Sequence, residues 1–110
     1  MSWPFRITAP LLDVLEVLVE SREELHGWAI MKATKRSGPS IYQVLERLRK
    51  AEWVTCRWED RPPDESRPRR RYYRLTGTGA ASARAVLAER RPDRSASYAA
   101  DSTIPLGHQI

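Results

Sequence analysis

The sequence is poor in the residue types that form disulfides, metal centres and nucleotide sites. Cys56 is its single cysteine, so no internal disulfide can form. The two histidines, His26 and His108, lie far apart in the chain and give no metal-ligand spacing. Glycine-rich phosphate loops and the glycine-flanked serine of many hydrolases are also missing. These absences argue against an enzyme and predict neither a metal nor another cofactor.

Long apolar runs are absent as well. No stretch approaches the roughly 20 apolar residues that a membrane-spanning helix needs. The first six residues, Met1 to Arg6, do not have the layout of a signal peptide. Hydrophobic residues make up 41% of the 110 residues, which suffices for one modest core. We therefore expect a small cytoplasmic domain without a membrane partner.

Positive charge is concentrated in one short segment. The formal net charge is +5, and residues 67–74 hold five arginines and no carboxylate. Residues 1–66 carry 10 basic and 11 acidic side chains and are therefore close to neutral. Clustered arginines repel one another unless a polyanion neutralises them. The segment predicts a phosphate-rich partner such as nucleic acid, and a merely solvated hairpin is the alternative.

The first predicted helix, residues 8–20, has an unusually wide apolar arc. Only Asp13, Glu16 and Glu20 form a narrow acidic stripe beside it. An arc of this width exceeds what one packing surface needs. It indicates either a central core helix or a helix whose second flank packs on another subunit.

Three further helices and a hairpin follow. Apolar periodicity predicts helices over 28–36, 39–51 and 77–91, and Gly38 lies in a tight turn between the first two of these, as in a helix-turn-helix. Residues 53–58 and 70–75 alternate as two strands around a long loop. The alternation places five side chains on the inner face: Val54, Cys56, Trp58, Tyr73 and Leu75.

This order of elements is that of a winged helix-turn-helix. The predicted fold class is α+β and mostly helical, with three helices, a two-stranded wing hairpin and a C-terminal helix. We expect a DNA-binding domain over residues 1–91, with its wing at 59–75, and a flexible tail over residues 92–110. In such a fold the third helix enters the major groove of double-stranded DNA.

The third helix presents a polar side suited to that role. Hydrogen-bonding and basic side chains on this side can read base edges and bind phosphates, although an ordinary solvated face is the alternative. Tyr42 points away from the main apolar row, which favours a phosphate contact by its hydroxyl over a place in the core. The candidate DNA-binding residues of this helix are Ser40, Tyr42, Gln43 and Arg47.

Four short motifs in the same order resemble the PadR family of bacterial transcriptional regulators. The family pattern is L-H-G-Y-x-I, S-x-G-x-[IL]-Y-x-x-L-x-x-L, G-[LW]-[IV] and R-x-Y-x-L-T-x-x-G. Each motif alone is weak, but their shared order and spacing over residues 7–91 are specific. The matching segments are Leu25 to Ile30, Ser37 to Leu48, Glu52 to Val54 and Arg70 to Gly79.

The resemblance implies a homodimer that binds a near-palindromic operator as a repressor, associated with the nucleoid. It assigns the third helix to the major groove and the wing to the flanking backbone or minor groove. The wing residues that match are Arg69, Arg70, Arg71 and Arg74. A winged-helix adaptor that binds a protein partner, with weak DNA affinity, is the alternative.

The C-terminal helix departs from the family pattern. Family members dimerise through a longer C-terminal helix, whereas Pro92 ends this one early. Our hypothesis is a dimer in which the first helix packs on the partner's fourth helix. Some members bind aromatic effectors against a tryptophan of the last helix, which is missing here, so an effector is left open. The predicted dimer residues are Leu12, Val19, Val86 and Leu87.

Overall fold

The computed structural model describes residues 3–60 and 68–93 and confirms the winged-helix architecture. None of the helices in these ranges is long and apolar enough to cross a membrane. The strands form one antiparallel sheet in the order β1-β3-β2. The elements are α1 (Ala9–Glu20), β1 (Leu25–His26), α2 (Gly27–Thr34), α3 (Gly38–Lys50), β2 (Val54–Trp58), β3 (Arg71–Leu75) and α4 (Gly77–Arg90).

The sequence pattern missed strand β1. Leu25 and His26 pair with Tyr73 and Tyr72 of β3, so the wing hairpin gains a third strand. Two residues are too few to show an alternating pattern, and the family motif in this segment indicated only a helix start. Of the predicted tail, residues 94–110 lie outside the described residues, so the proposed division at residue 91 stays a prediction.

Helix α1 lies at the centre of the molecule. Thr8 caps its start by accepting a hydrogen bond from the Leu11 amide at 3.3 Å. Leu11, Val14 and Leu15 have no exposed surface. The helix packs against α2, α3, α4 and β3, which accounts for its wide apolar arc. The first of the two sequence interpretations, a central core helix, therefore describes this part of the chain.

The packing of α1 on α4 corrects the predicted dimer contact. Val86 and Leu87 are fully buried and Leu12 is 9% exposed within one chain. Their side chains fill the protomer's own core and offer no surface to a partner. Val19 alone of the predicted set stays partly exposed. The apolar pattern identified the packing partners of α1 correctly, but periodicity cannot tell whether the partner helix belongs to the same chain.

The acidic stripe of α1 binds two arginines from distant parts of the chain. Arg36, which follows α2, donates to Asp13 at 2.7 Å, and Arg91, at the end of α4, lies 3.0 Å from Asp13 and 2.9 Å from Glu16. Partial burial raises the pKa of Asp13, but hydrogen bonds and charge from both arginines outweigh it and hold the pKa below 3.8. The stripe therefore fastens α1 to both neighbouring helices.

The end of α3 and the start of α4 meet at Trp53. The Trp53 amide donates to the Leu48 carbonyl at 2.9 Å and the Glu52 amide donates to Arg49 at 3.0 Å, which is the Schellman arrangement of a helix end. Glu52 adopts a φ of 64° there, a conformation that favours glycine. The Trp53 carbonyl accepts from the Thr76 amide at 2.9 Å.

Gly79 allows α4 to lie directly on this junction. A Cβ at Gly79 would overlap the carbonyl group of Trp53, so no larger residue fits without moving the helix. Thr76 caps α4 by accepting from the Gly79 amide at 2.8 Å. The N-terminal segment covers the other side, where the Phe5 ring lies 4.8 Å from the Trp53 ring and Trp3 lies 5.9 Å away.

Glu52→Gly should stabilise the protein. Glycine relieves the left-handed backbone conformation, a gain of about 1 kcal/mol. The midpoint of thermal unfolding should rise by about 4 °C. Glu52→Ala is the matched control, because it removes the same side chain but keeps the strained backbone. An equal rise in both variants would show that side-chain repulsion, rather than φ, is responsible.

Asp13→Asn should destabilise the fold in a pH-dependent way. Because the folded pKa of Asp13 is lowered, its contribution is present above the unfolded value and is lost as the pH falls through the folded value. Urea unfolding should show a loss of about 1 kcal/mol near neutral pH. The difference from wild type should shrink as the pH falls below the unfolded pKa and through the lowered folded pKa of Asp13. Glu23→Gln, an exposed carboxylate, is the control, and a pH-independent difference would contradict the assignment.

Candidate nucleic-acid interface

Helix α3 divides cleanly into a buried and an exposed side. Four residues of its predicted apolar row are 3% exposed or less, and Ala51, the fifth, is partly exposed at the helix end. Ser37 precedes the helix, and Pro39 stands in its first turn, where no amide donor is needed. The Schellman end described above fixes its C-terminus. The buried residues are Ile41, Val44, Leu45 and Leu48.

The outer side of α3 carries the predicted DNA-binding side chains. Tyr42, Gln43 and Arg47 are exposed, and Ser40 is half-buried near the start of the helix. Lys50 is also exposed and extends the basic row by one turn, although the sequence analysis did not select it. Its signal was present in the sequence as a cation one turn after Arg47 on the same face.

Glu46 interrupts this face but is neutralised locally. Arg49 Nε donates to the Glu46 carboxylate at 3.1 Å, and a second guanidinium nitrogen of Arg49 also pairs with it. The hydrogen bond from Arg49 lowers the pKa of Glu46, so the carboxylate stays ionised and paired. The exposed cations of α3 are therefore left without a carboxylate partner among the described residues.

Tyr42 lies on the surface and also connects α3 to the start of α2. Its side chain is 48% exposed, yet a Cβ at Gly27 would overlap the Tyr42 ring and hydroxyl. A side chain at Gly27 would therefore require the Tyr42 ring to move. The arrangement excludes a fully buried Tyr42 and leaves its hydroxyl beside the first turn of α2.

The wing positions its arginines through a regular register. Val54, Cys56 and Trp58 pair with Leu75, Tyr73 and Arg71. At the loop end of the hairpin the Glu59 amide donates to the Arg70 carbonyl at 2.7 Å. The Arg70 amide donates to the Glu59 carboxylate at 3.1 Å. Residues 61–67 of the predicted wing lie outside the described residues.

Trp58 is not an inward-facing core residue, which corrects the sequence prediction. It shares a sheet face with Val54 and Cys56, but its side chain is 60% exposed. The strand extends past the end of the core, so alternation continues while burial stops. Arg71 lies opposite Trp58, with its guanidinium 5.6 Å from the Trp58 ring.

Arg71 contacts other parts of the wing through its guanidinium. Its Nε and Nη2 lie 3.2 and 2.9 Å from Cys56 Sγ, and it lies 5.7 Å from the Tyr73 ring. Tyr73 is 4% exposed, and burial raises the pKa of its hydroxyl. Arg71 thus links the two strands of the wing and projects only part of its charge outward.

The structure separates the four predicted wing arginines into two groups. Arg69, Arg70 and Arg71 line one groove together with Tyr42 of α3. Arg74 points from the opposite face of the sheet and lies in a shallow depression with Arg22 and Arg84 beside the end of α1. The alternation of the sequence predicts that Arg70 and Arg74 share one face, which is wrong, because Arg70 precedes β3 and lies with Arg71 in the groove.

The arginines of the described residues differ in whether they have carboxylate partners. Arg36 and Arg91 pair with α1, and Arg57 pairs with Glu24 at 2.6 Å. Arg47, Arg69 and Arg70 form no ion pair within these residues. Arg47 lies on α3 and Arg69 and Arg70 lie on the wing; Arg6, Arg22 and Arg84 elsewhere also form no ion pair within the described residues. Nor do His, Cys, Asp and Glu of the described chain cluster in a way that could hold a metal ion.

A sequence model of a known family covers most of the domain. The transcriptional regulator PadR-like family matches residues 14–85, which include most of α1, all of α2 and α3, the wing and the first part of α4. The chain belongs to this family. Membership identifies the protein as a transcriptional regulator and not an enzyme. No match was found among curated proteins.

Solved structures share the fold of this PadR-like regulator. S. aureus MepR in complex with DNA has a TM-score of 0.60 at 22% identity, over 87% of this chain and 66% of that chain. A PadR-like transcription factor from Bacteroides fragilis has a TM-score of 0.59 at 20% identity, over 79% and 84%. PcaV from Streptomyces coelicolor, in complex with its natural ligand, has a TM-score of 0.58 at 24% identity, over 92% of this chain and 64% of that chain. The chain thus spans about two thirds of MepR and PcaV.

Proposed function

We propose that this PadR-like regulator is a sequence-specific DNA-binding repressor that acts as a homodimer on a near-palindromic operator. Helix α3 enters the major groove, and the wing follows the neighbouring backbone or minor groove. The observation that carries this proposal is the distribution of arginines. Arg36 and Arg91 pair with carboxylates of α1, whereas Arg47 of α3 and Arg69 and Arg70 of the wing pair with no carboxylate of the described residues. Repression follows from occupying a promoter and excluding polymerase.

The side chains suggest a division of roles on this surface. Gln43 and Ser40 carry the donors and acceptors that read base edges in the major groove. Arg47, Arg69 and Arg70 provide unpaired positive charge for phosphates. Tyr42 presents its hydroxyl near the start of α2, where a backbone phosphate is a suitable partner. Arg71 adds charge and, through Cys56, holds the wing in place.

A homodimer must use a surface other than Leu12, Val86 and Leu87. The side of α4 opposite α1 is exposed and carries the small residues Ala81, Ala85 and Ala88. Val19 is partly exposed in the depression that also contains Arg84 of α4. We propose that the dimer forms over this side of the molecule, away from α3 and from the face of the wing that carries Arg69, Arg70 and Arg71. Both DNA-binding surfaces of the dimer are then free.

Selection of fragments from a random DNA library by the purified protein tests the sequence-specific function. A dimer should enrich an inverted repeat whose half-sites are about one helical turn, or 34–36 Å, apart. Gln43→Ala should change the preferred base at one position of each half-site, with a loss of about 1–3 kcal/mol of discrimination. Arg90→Ala, at the exposed end of α4, is the control and should keep the wild-type motif.

Three outcomes of the selection contradict parts of the proposal. Enrichment no greater than background would favour the adaptor, which binds a protein partner instead. An unchanged motif with Gln43→Ala would remove Gln43 from the base-reading residues. A single half-site without a repeat would contradict the homodimer.

The double variant Arg69→Ala, Arg70→Ala should weaken binding to all DNA sequences alike. Loss of four phosphate contacts per dimer should reduce the slope of log K against log salt concentration by about 3–4. Titrations of a labelled duplex at several salt concentrations measure this slope. A double variant with lost sequence discrimination but an unchanged slope would show that the wing reads bases rather than phosphates.

A further inference from the structure

Three arginines from three parts of the fold line one small depression beside the end of α1. Arg22 follows α1, Arg74 lies on β3 and Arg84 lies on α4. This arginine depression has a volume of about 130 Å³. No residue of α3 and no residue of the groove that contains Tyr42 lines it. Only the packing of three elements brings these charges together, because they lie far apart in the chain.

The fold does not neutralise these arginines. Arg22, Arg74 and Arg84 are exposed, and none of them forms an ion pair within the described residues. The nearby Glu24 carboxylate is bound by Arg57 at 2.6 Å. The hydrogen bond from Arg57 lowers the pKa of Glu24, to which the charge of Arg74 adds less. Like charges that lie close together repel one another, and a bound anion removes this cost.

The backbone beneath each arginine is fixed before any ligand arrives. Arg74 lies on the central strand of the sheet. The loop that carries Arg22 is closed by Ser21, whose hydroxyl donates to the Glu23 carbonyl at 2.7 Å and accepts from the Glu23 amide at 3.2 Å. Arg84 lies in the middle of α4. A fixed backbone reduces the entropy that is lost when a ligand binds.

The charge and size of the arginine depression select its ligand. Its lining carries three arginines and one glutamate, Glu23, which gives a net charge of +2. A phosphate group carries about −1.5 to −2 near neutral pH and has three strong acceptor oxygens, to which guanidinium groups donate in pairs. A carboxylate has a single charge and two oxygens. The volume of about 130 Å³ is below the roughly 300–1,000 Å³ of drug-sized sites.

We propose that the arginine depression binds a phosphate group, either as the free ion or as the end group of a phosphate monoester. Arg22, Arg74 and Arg84 donate to its oxygens. DNA that lies along α3 and the groove leaves the depression open, because the two surfaces share no lining residue. The site itself does not rest on the proposed function.

Calorimetric titration of the purified protein with inorganic phosphate at constant ionic strength tests the site. Wild type should bind one phosphate per chain. Arg84→Gln should weaken binding about tenfold, because one charge-assisted pair of hydrogen bonds is lost. Arg90→Gln is the matched control, since it removes the same charge from another exposed position of α4. Acetate should bind wild type at least about tenfold more weakly than phosphate does.

The variants and anions separate this site from general attraction to a basic protein. Equal phosphate affinity in wild type and Arg84→Gln would overturn the proposed position. An equal loss in Arg84→Gln and Arg90→Gln would show an effect of net charge alone and would also overturn it. A loss in Arg69→Gln as large as in Arg84→Gln would assign the anion to the groove instead. Equal binding of acetate and phosphate would overturn the ligand class.

Methyl phosphate identifies the source of the phosphate group. An affinity close to that of inorganic phosphate assigns the site to a phosphorylated molecule, whereas a much lower affinity assigns it to the free ion. Either result supports the site. Arg84 is exposed, so Arg84→Gln should keep the circular dichroism and the unfolding midpoint of the wild type.

A link between phosphate and dimerisation follows, and this link rests on the proposed function. The arginine depression lies on the side over which the proposed dimer forms, so each chain brings three unneutralised arginines to that side. Bound phosphate should reduce their repulsion and strengthen the dimer.

Sedimentation velocity at constant ionic strength tests this link separately. Saturating phosphate should lower the dimer dissociation constant of the wild type about tenfold and should change that of Arg84→Gln little. An unchanged constant in the wild type would overturn the link. A chain that binds phosphate but stays monomeric at every concentration would contradict the homodimer and leave the phosphate site standing.

Discussion

Burial of α1 against the other helices sets the geometry of the whole domain. Its apolar arc packs against α2, α3 and α4, and its acidic stripe binds Arg36 and Arg91. Because the chain is short, one central helix organises nearly the whole core. The junction at Trp53 adds a second fixed point, at which α3 ends and α4 begins. Together these contacts set the angle at which α3 and the wing face outward.

The central position of α1 also determines which arginines meet a carboxylate. Carboxylates of α1 neutralise the arginines next to it, so those charges are used in holding the helices together. Arg47 of α3 and Arg69 and Arg70 of the wing have no such partner within the described residues, and their charge is available to an anion. Net charge alone would not have shown this difference. It depends on which arginines fold onto a carboxylate.

Local patterns predicted the four helices, the hairpin and the buried row of α3, because each element carries a period that its burial requires. These patterns gave wrong predictions where a periodic pattern continues at residues that the fold does not bury, or where the packing partner was assigned to the wrong chain. Trp58 continues the alternation of β2 beyond the core and is exposed. The apolar faces that contain Leu12, Val86 and Leu87 were predicted correctly. These faces pack within one chain, however, and not between two chains. Strand β1 is too short to have a period at all.

The amino-acid sequence was enough to establish the fold class, the family and the position of the basic wing, since these follow from periodicity, motif order and the placement of charge along the chain. Which charges are neutralised, and which aromatic side chains share a surface, depended on tertiary packing. Trp28, Tyr42 and Trp58 belong to three different elements, and they meet in one groove because of how those elements pack. Such contacts between residues distant in sequence leave no local period to read.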